Sequence, residues 1–216
     1  CGQCVHIPAQ PPDKAIPKKA KAIVYSCKEQ YGIIWVCLGE PAHPMITYEP
    51  YDAPAHKSVF CGPYKVEAAG PRIIENFLDV SHLMFIHEGY LGDRDHAEIS
   101  DFKVKKIGNR LVSDEIAVYQ ANADGRGKPA VYYYTYEVRG PLTALFTKRD
   151  PSNNSKFTIL LVVQPETENK SVAYMIVSRD YDLHLEDELF ISFQDKIFSQ
   201  DLPIVEAQHP ELLPLD

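Results

Sequence analysis

Apolar residues recur at three- and four-residue spacing between Pro71 and Gly92, where Ile73, Ile74, Phe77, Val80, Met84 and Phe85 share one face. That period is the mark of a helix packed on a core. Pro71 suits a first helical turn and Gly89 or Gly92 an end, so the pattern predicts one helix over 71–92. A second helix is predicted over Leu185–Gln200. Its acidic first turn (Glu186, Asp187, Glu188) complements the helix dipole, and Leu185, Leu189, Phe193 and Ile197 step by four along a buried face. Continuing that step lands on Asp201, whereas Asp195 falls on the outer face with Glu188. Pro203 has no amide hydrogen and disfavours helical geometry at Leu202, so the helix should loosen beside Asp201.

The remaining apolar positions follow a strand-like pattern. Residues 23–38 form two β-rich runs around Tyr31-Gly32, a hairpin signal, after a Pro- and Lys-rich connector over 1–22. Prolines 41, 44, 50 and 54 predict a long loop over 39–57. Ala97–Ile107 and Leu111–Gln120 flank a Gly108-Asn109 turn. Val131–Val138, Leu142–Lys148, Lys156–Val163 and Ser171–Arg179 follow, close enough in sequence to pair antiparallel. No βαβ alternation with a Gly-rich phosphate loop occurs, and the fold class is α+β.

Composition narrows the function. At 216 residues the chain can bury one sizeable core. A net charge of −8 argues against nucleic-acid or anionic-membrane partners. The longest apolar run, Thr158–Val163, is strand-sized, so no membrane span is expected. Five cysteines, an odd number confined to positions 1, 4, 27, 37 and 61, suit reduced thiols and a cytoplasmic location better than a disulfide framework. Cys1-x-x-Cys4 with His6 has no second pair nearby to complete a zinc site.

The chemistry lies where polar residues interrupt the two apolar faces. Asp79 and His82 are three apart and share a helical face. His82 and His87 are five apart, roughly 140° around a regular helix, and can meet one ion only where the helix bulges or is already ending. Two ordinary histidines at a buried helix end are the alternative. Asp201 interrupts the second face without a basic neighbour in sequence, and such a carboxylate needs a compensating cation or a partner elsewhere in space. A two-His, one-carboxylate set suits Fe(II) and leaves coordination sites open.

The run Asn76-x-x-Asp79-x-x-His82-x-x-x-x-His87 resembles the mononuclear iron motif of Rieske-type non-haem iron oxygenases, and within them the monooxygenase and demethylase branch. The stretch Asp201-Leu-Pro-Ile-Val-Glu206-Ala-Gln resembles that family's C-terminal motif, which carries its iron-binding Asp. The opening Cys-Gly-Gln-Cys-Val-His-Ile-Pro resembles the segment that leaves the family's cluster domain. The Cys-x-His and Cys-x-x-His pairs that would hold a [2Fe–2S] cluster are not both present, so the resemblance implies a missing Rieske domain, with 1–60 as connector and hairpin and 61–216 as the mononuclear iron domain.

The fold implied is a helix-grip, START-like domain: a curved antiparallel sheet around a long C-terminal helix, with iron at the inner end of a cavity. His82, His87 and Asp201 would bind Fe(II). Asp79 would hydrogen-bond a ligand histidine and bridge to the cluster of a neighbouring subunit, and Asn76 would sit near the iron. The implied activity is O2-dependent hydroxylation or oxidative demethylation of an aromatic or alicyclic substrate by a homotrimer fed by a reductase or ferredoxin. Ring cis-dihydroxylation and ligand carriage without catalysis are the alternatives. Tyr133, Thr135, Val172, Tyr174, Ile176 and Phe190 are candidate pocket residues, each equally explicable as core.

Overall fold

The computed structural model describes residues 2–122 and 127–214, so Cys1 of the Cys1-x-x-Cys4 pair lies outside the described residues. The chain divides into two compact units, 1–45 and 46–216. In the first, Gly2 at φ +65° and the Gln3–Lys21 bridge lay the N-terminal segment antiparallel to residues 20–22. Strands β1 (Ser26–Gln30) and β2 (Ile33–Cys37) form the hairpin that Tyr31-Gly32 predicts. Both turn residues have positive φ, 58° and 70°, which suits the right-handed twist of the flanking strands. Cys4 and His6 do not converge as ligands: the Cys4 thiol donates to the His6 carbonyl at 3.4 Å.

The second unit is built on a mostly antiparallel sheet gripping a C-terminal helix. A short helix, α1 (Glu49–Asp52), interrupts the Pro-rich segment expected to be loop. Strand β3 (Lys57–Val66), which the pattern does not predict, lies at the sheet edge beside β10. Its Gly62-Pro63 pair breaks the alternation, and a proline is tolerated there because an edge strand leaves amides unpaired. Helix α2 (Gly70–Leu78) and two 3₁₀ turns, Ser81–Met84 and Arg94–His96, precede β4 (Val104–Ile107), β5 (Arg110–Ser113) and β6 (Ile116–Gln120). Then come β7 (Ala130–Gly140), β8 (Thr143–Arg149), β9 (Lys156–Thr167), β10 (Lys170–Arg179) and α3 (Asp187–Glu206). The strands run in the order β3-β10-β9-β8-β7-β5-β4, with β6 also on β7, and every pairing is antiparallel.

Strand β9 is central, and Phe157 to Val163 are buried on both faces. Phe157, Ile159, Leu161 and Val163 meet the helices, joining Ile73 and Ile74 of α2 and Phe190, Phe198 and Val205 of α3 in one core. The other face is closed in part by Tyr48, 1% exposed, whose hydroxyl donates to Ser178 Oγ at 2.8 Å. Each large side chain buried in this way contributes on the order of 1.5–3 kcal/mol. A second core packs Val80, Leu83 and Met84 on Ile116, Val118, Tyr132, Tyr134 and Tyr136 of β6 and β7.

Two expectations about the helices are corrected. The helix expected over 71–92 ends at Leu78, where Asp79 turns extended at ψ 114°. The Asp79 carboxylate accepts from Ser81 N at 2.8 Å and from Ser81 Oγ, offering the chain a local alternative to helical bonding. Phe85, placed on the buried face by periodicity, is half exposed as a result. At the other end, α3 does not loosen at Asp201 but continues through Pro203 to Glu206. Val205 and Leu202 pack on the core, and that packing offsets the backbone bond that proline cannot make. The buried stripe of α3 is Phe190, Gln194, Ile197, Phe198 and Val205, while Leu189 is 56% exposed. Asp201 is mostly buried on the same side, and Asp195 is exposed and accepts from Tyr64 Oη at 2.6 Å.

Candidate metal centre and cavity

Helix α2, the 3₁₀ turn and α3 bring three distant side chains to one point. His82 lies in the 3₁₀ turn, His87 in the loop after it, and Asp201 on α3. Their ligand atoms fall within 4.8 Å of one another, the only such His, Cys, Asp and Glu cluster among the described residues. His82 Nε2 is 3.2 Å from His87 Nε2; Asp201 Oδ1 is 3.1 Å from His87 Nε2 and 3.5 Å from His82 Nε2. The early end of α2 makes this possible. Once the chain leaves the helix at Asp79, the five-residue spacing no longer separates the rings, and they stand edge-to-face with centroids 5.0 Å apart.

Both imidazoles are oriented from behind. His82 Nδ1 is 2.6 Å from the Asp79 carbonyl oxygen, and His87 Nδ1 is 2.9 Å from Gln200 Oε1. Each Nδ1 faces an acceptor and so carries the proton, which leaves a lone pair at each Nε2. Burial pushes the pKa of His82 below its ordinary value, favouring the neutral ring. Two nitrogen lone pairs and a carboxylate oxygen therefore converge, and three acceptors at such distances repel unless a cation or shared protons lie between them. His87 is 1% exposed, so water cannot readily perform that role. The donor set, borderline nitrogen plus hard oxygen, fits a divalent first-row metal such as iron.

The other motif residues are placed as follows. Asn76 Nδ2 points at Asp201 Oδ1 from 3.5 Å. Asp79 meets His82 through its backbone carbonyl, not its carboxylate, which stays solvent-exposed on Ser81. Gln200 was not picked out by sequence reasoning. The available signal is its position, immediately before a candidate ligand on a helix, where an amide can reach the neighbouring ring.

The cluster opens on a narrow cavity with mostly apolar walls. None of the six residues singled out from the sequence lines it. Tyr134 and Tyr136 do so in place of Tyr133 and Thr135, and Met175 in place of Val172, Tyr174 and Ile176. Successive strand residues face opposite sides, so a one-residue offset moves every side chain to the other face. On α3 the lining falls to Phe193, Gln194 and Ile197 and not to Phe190. Burial raises the pKa of Tyr136, which keeps its hydroxyl protonated.

An antiparallel sheet closed on a C-terminal helix, with a two-histidine, one-carboxylate cluster at its cavity, is the architecture of Rieske-type oxygenase catalytic domains. Residues 66–216 match the family described as vanillate O-demethylase oxygenase C-terminal domain, and the chain belongs to that family. Methylxanthine N1-demethylase NdmA of Pseudomonas putida is 29% identical over 221 residues, which cover 100% of this chain and 61% of the relative. The probable methylxanthine N7-demethylase NdmC of Pseudomonas sp. (strain TJI-51) is 28% identical over 193 residues, 88% of this chain and 68% of the relative. The solved structure of NdmA with caffeine superposes with a TM-score of 0.85 at 27% identity, covering 100% of this chain and 62% of that one. The chain thus spans 61% of the length of NdmA and 68% of that of NdmC. Among the described residues, no helix is long and apolar enough to cross a membrane.

Proposed function

We propose that this chain is the mononuclear iron domain of a terminal oxygenase that hydroxylates or oxidatively demethylates a hydrophobic aromatic or alicyclic substrate. His82, His87 and Asp201 hold Fe(II), which supplies O2 activation and the oxidising equivalent when bound. The protein's part is to aim and to enclose. The Asp79 carbonyl and Gln200 fix the two rings with Nε2 inward, and Asn76 directs its amide toward the coordinating carboxylate. Ile73, Phe77, Leu91 and Phe146 exclude water and hold an apolar substrate against the cluster. A [2Fe–2S] cluster in the full-length enzyme would supply electrons drawn from a reductase or ferredoxin. Asp79, exposed beside the ligand turn, lies on that route between subunits of a cytoplasmic homotrimer.

The convergence of three lone-pair donors at the inner end of an apolar cavity carries this reading. A carrier of hydrophobic ligands would have no use for three mutually repelling acceptors at its floor. The likeness to demethylases favours demethylation or hydroxylation over ring cis-dihydroxylation. The test is anaerobic Fe(II) titration with nitric oxide as spectroscopic probe. One iron per chain with a high-spin nitrosyl signal is expected, with affinity at least about 100-fold lower in Asp201→Ala or His82→Ala. Failure to bind iron, or Asp201→Ala binding it like the parent, would overturn the assignment.

A further inference from the structure

The cavity is smaller than an aromatic ring needs. Its volume is about 60 Å³, whereas a cavity of about 150 Å³ is the size that takes up benzene. An aromatic molecule therefore enters only if a wall gives way. Three walls are held fast. Strands β7, β8, β9 and β10 are laddered to one another across the floor, and α2 and α3 are anchored in the main core by Ile73, Ile74, Phe190, Phe198 and Val205.

The fourth wall is the loop that follows His87. Leu91 lines the cavity from this loop and Phe193 from α3, and both keep some exposure, whereas Tyr134, Ile159, Leu161 and Met175 on the floor are 5% exposed or less. The gap between loop and helix is thus the side nearest solvent. The loop folds on itself: the His87 carbonyl accepts from Tyr90 N and Leu91 N, each at 3.0 Å. Its ends are fixed, with His87 1% exposed and Gly92 so tight on the 3₁₀ turn that a Cβ would lie 2.4 Å from the Leu83 carbonyl oxygen. Its tip is freer. Glu88 and Gly89 are exposed, and Gly89, at φ +80°, has no atom within 4 Å of where a Cβ would stand. Tyr90 ties this tip to α3. Lys196 Nζ donates to the Tyr90 hydroxyl and lies 4.1 Å from the centre of its ring, and that ring meets Phe193 at 6.4 Å between centroids. Phe193 and Lys196 are three apart and so share one face of the helix. Glu88 pairs instead with Arg94 at 2.9 Å, an exposed contact that does not reach α3.

We propose that Tyr90 and Lys196 latch residues 88–91 as a lid over the mouth of the cavity, and that opening of this lid admits the substrate. This rests on the reading of the cavity as the substrate chamber of an iron oxygenase. The latch is closed in the empty and in the loaded chain alike. Weakening it therefore lowers the barrier to passage in both directions and leaves the binding equilibrium nearly untouched. A residue that only touched the bound molecule would change affinity instead. The test is toluene binding to the full chain, followed by NMR of methionine labelled with 13C at the methyl group. Met175 lines the cavity while Met45 and Met84 do not, so a toluene-dependent shift at Met175 reports occupancy, and exchange line shapes give the rates of entry and exit. In Lys196→Leu and in Tyr90→Ala both rates should rise about tenfold, the effect of losing one hydrogen bond and one cation–π contact, with Kd within about threefold of the parent. Lys196→Arg, which can still donate and stack, should stay near the parent. A melting curve establishes that each variant is folded.

Unmoved rates in folded Lys196→Leu and Tyr90→Ala, or no toluene-dependent shift at Met175, would overturn the proposal. A faster exit matched by an equal loss of affinity would also overturn it, in favour of Tyr90 as a plain wall of the cavity. The Fe(II) titration separates this proposal from the iron reading. Rates raised in a chain that binds no iron would refute the metal assignment and leave the latch standing. Iron uptake with unmoved rates would refute the latch alone.

Discussion

At the scale of single residues, the cluster depends on which nitrogen of each imidazole bears the proton. Gln200 Oε1, 2.9 Å from His87 Nδ1, holds that ring with Nε2 toward His82 and Asp201. Replacing it with leucine removes the acceptor and frees the ring to turn. Gln200→Leu should weaken Fe(II) binding by about 10–100-fold, as measured by competition against a chelator, while Gln200→Glu should keep it near the parent value. Thiol chemistry gives a second residue-level expectation. Cys61 is fully buried, and burial pushes its pKa up to about 12, whereas Cys27 is exposed. Iodoacetamide at neutral pH should label Cys27 readily and reach Cys61 only once the sheet has opened, which peptide mapping would resolve.

At the scale of elements, the 3₁₀ turn that carries His82 and leads to His87 is the sensitive part. Gly92 packs so closely behind it that a Cβ would sit 2.6 Å from Met84 Cα. Gly92→Ala must push the turn or the loop aside, and should cost about 1–3 kcal/mol in urea unfolding. It should also weaken iron binding, because the displaced backbone carries both histidines. This element further shows what the sequence makes legible. The motif Asn76-Asp79-His82-His87 and the distant Asp201 are visible because the information lies in residue identity and order. The stop at Leu78 is not, because apolar spacing runs on through Val80 and Met84, and those residues are indeed buried, but in a tighter turn. The clue was Asp79-x-Ser81, a local side-chain turn that periodicity ignores. Strand β7 hid its inner face for a related reason. Aromatic residues occupy both sides of VYYYTYEV, so alternation identifies a strand without saying which side is in.

At the scale of the whole molecule, the cluster joins parts of the chain that otherwise meet only through packing. Phe198 stacks on Tyr64 at 4.1 Å and Val205 is buried, so α3 is already held without any ion. Iron bound by the native state alone should still raise stability, by about 2.7 kcal/mol when free Fe(II) stands at a hundred times its Kd. Anaerobic melting should therefore show a higher Tm with Fe(II), lost on adding a chelator and absent in Asp201→Ala.

The placement of the three side chains has a polymer consequence as well. His87 and Asp201 are 114 positions apart (201 − 87), so an ion gripped by both would close a ring containing most of the sheet. A covalent staple over a ring of about 100 residues lowers the entropy of the denatured chain by an amount on the order of 4–5 kcal/mol, which sets the ceiling for this weaker tie. With the staple in place, a protease nick at the exposed 151–154 turn would leave two fragments still fastened through the metal.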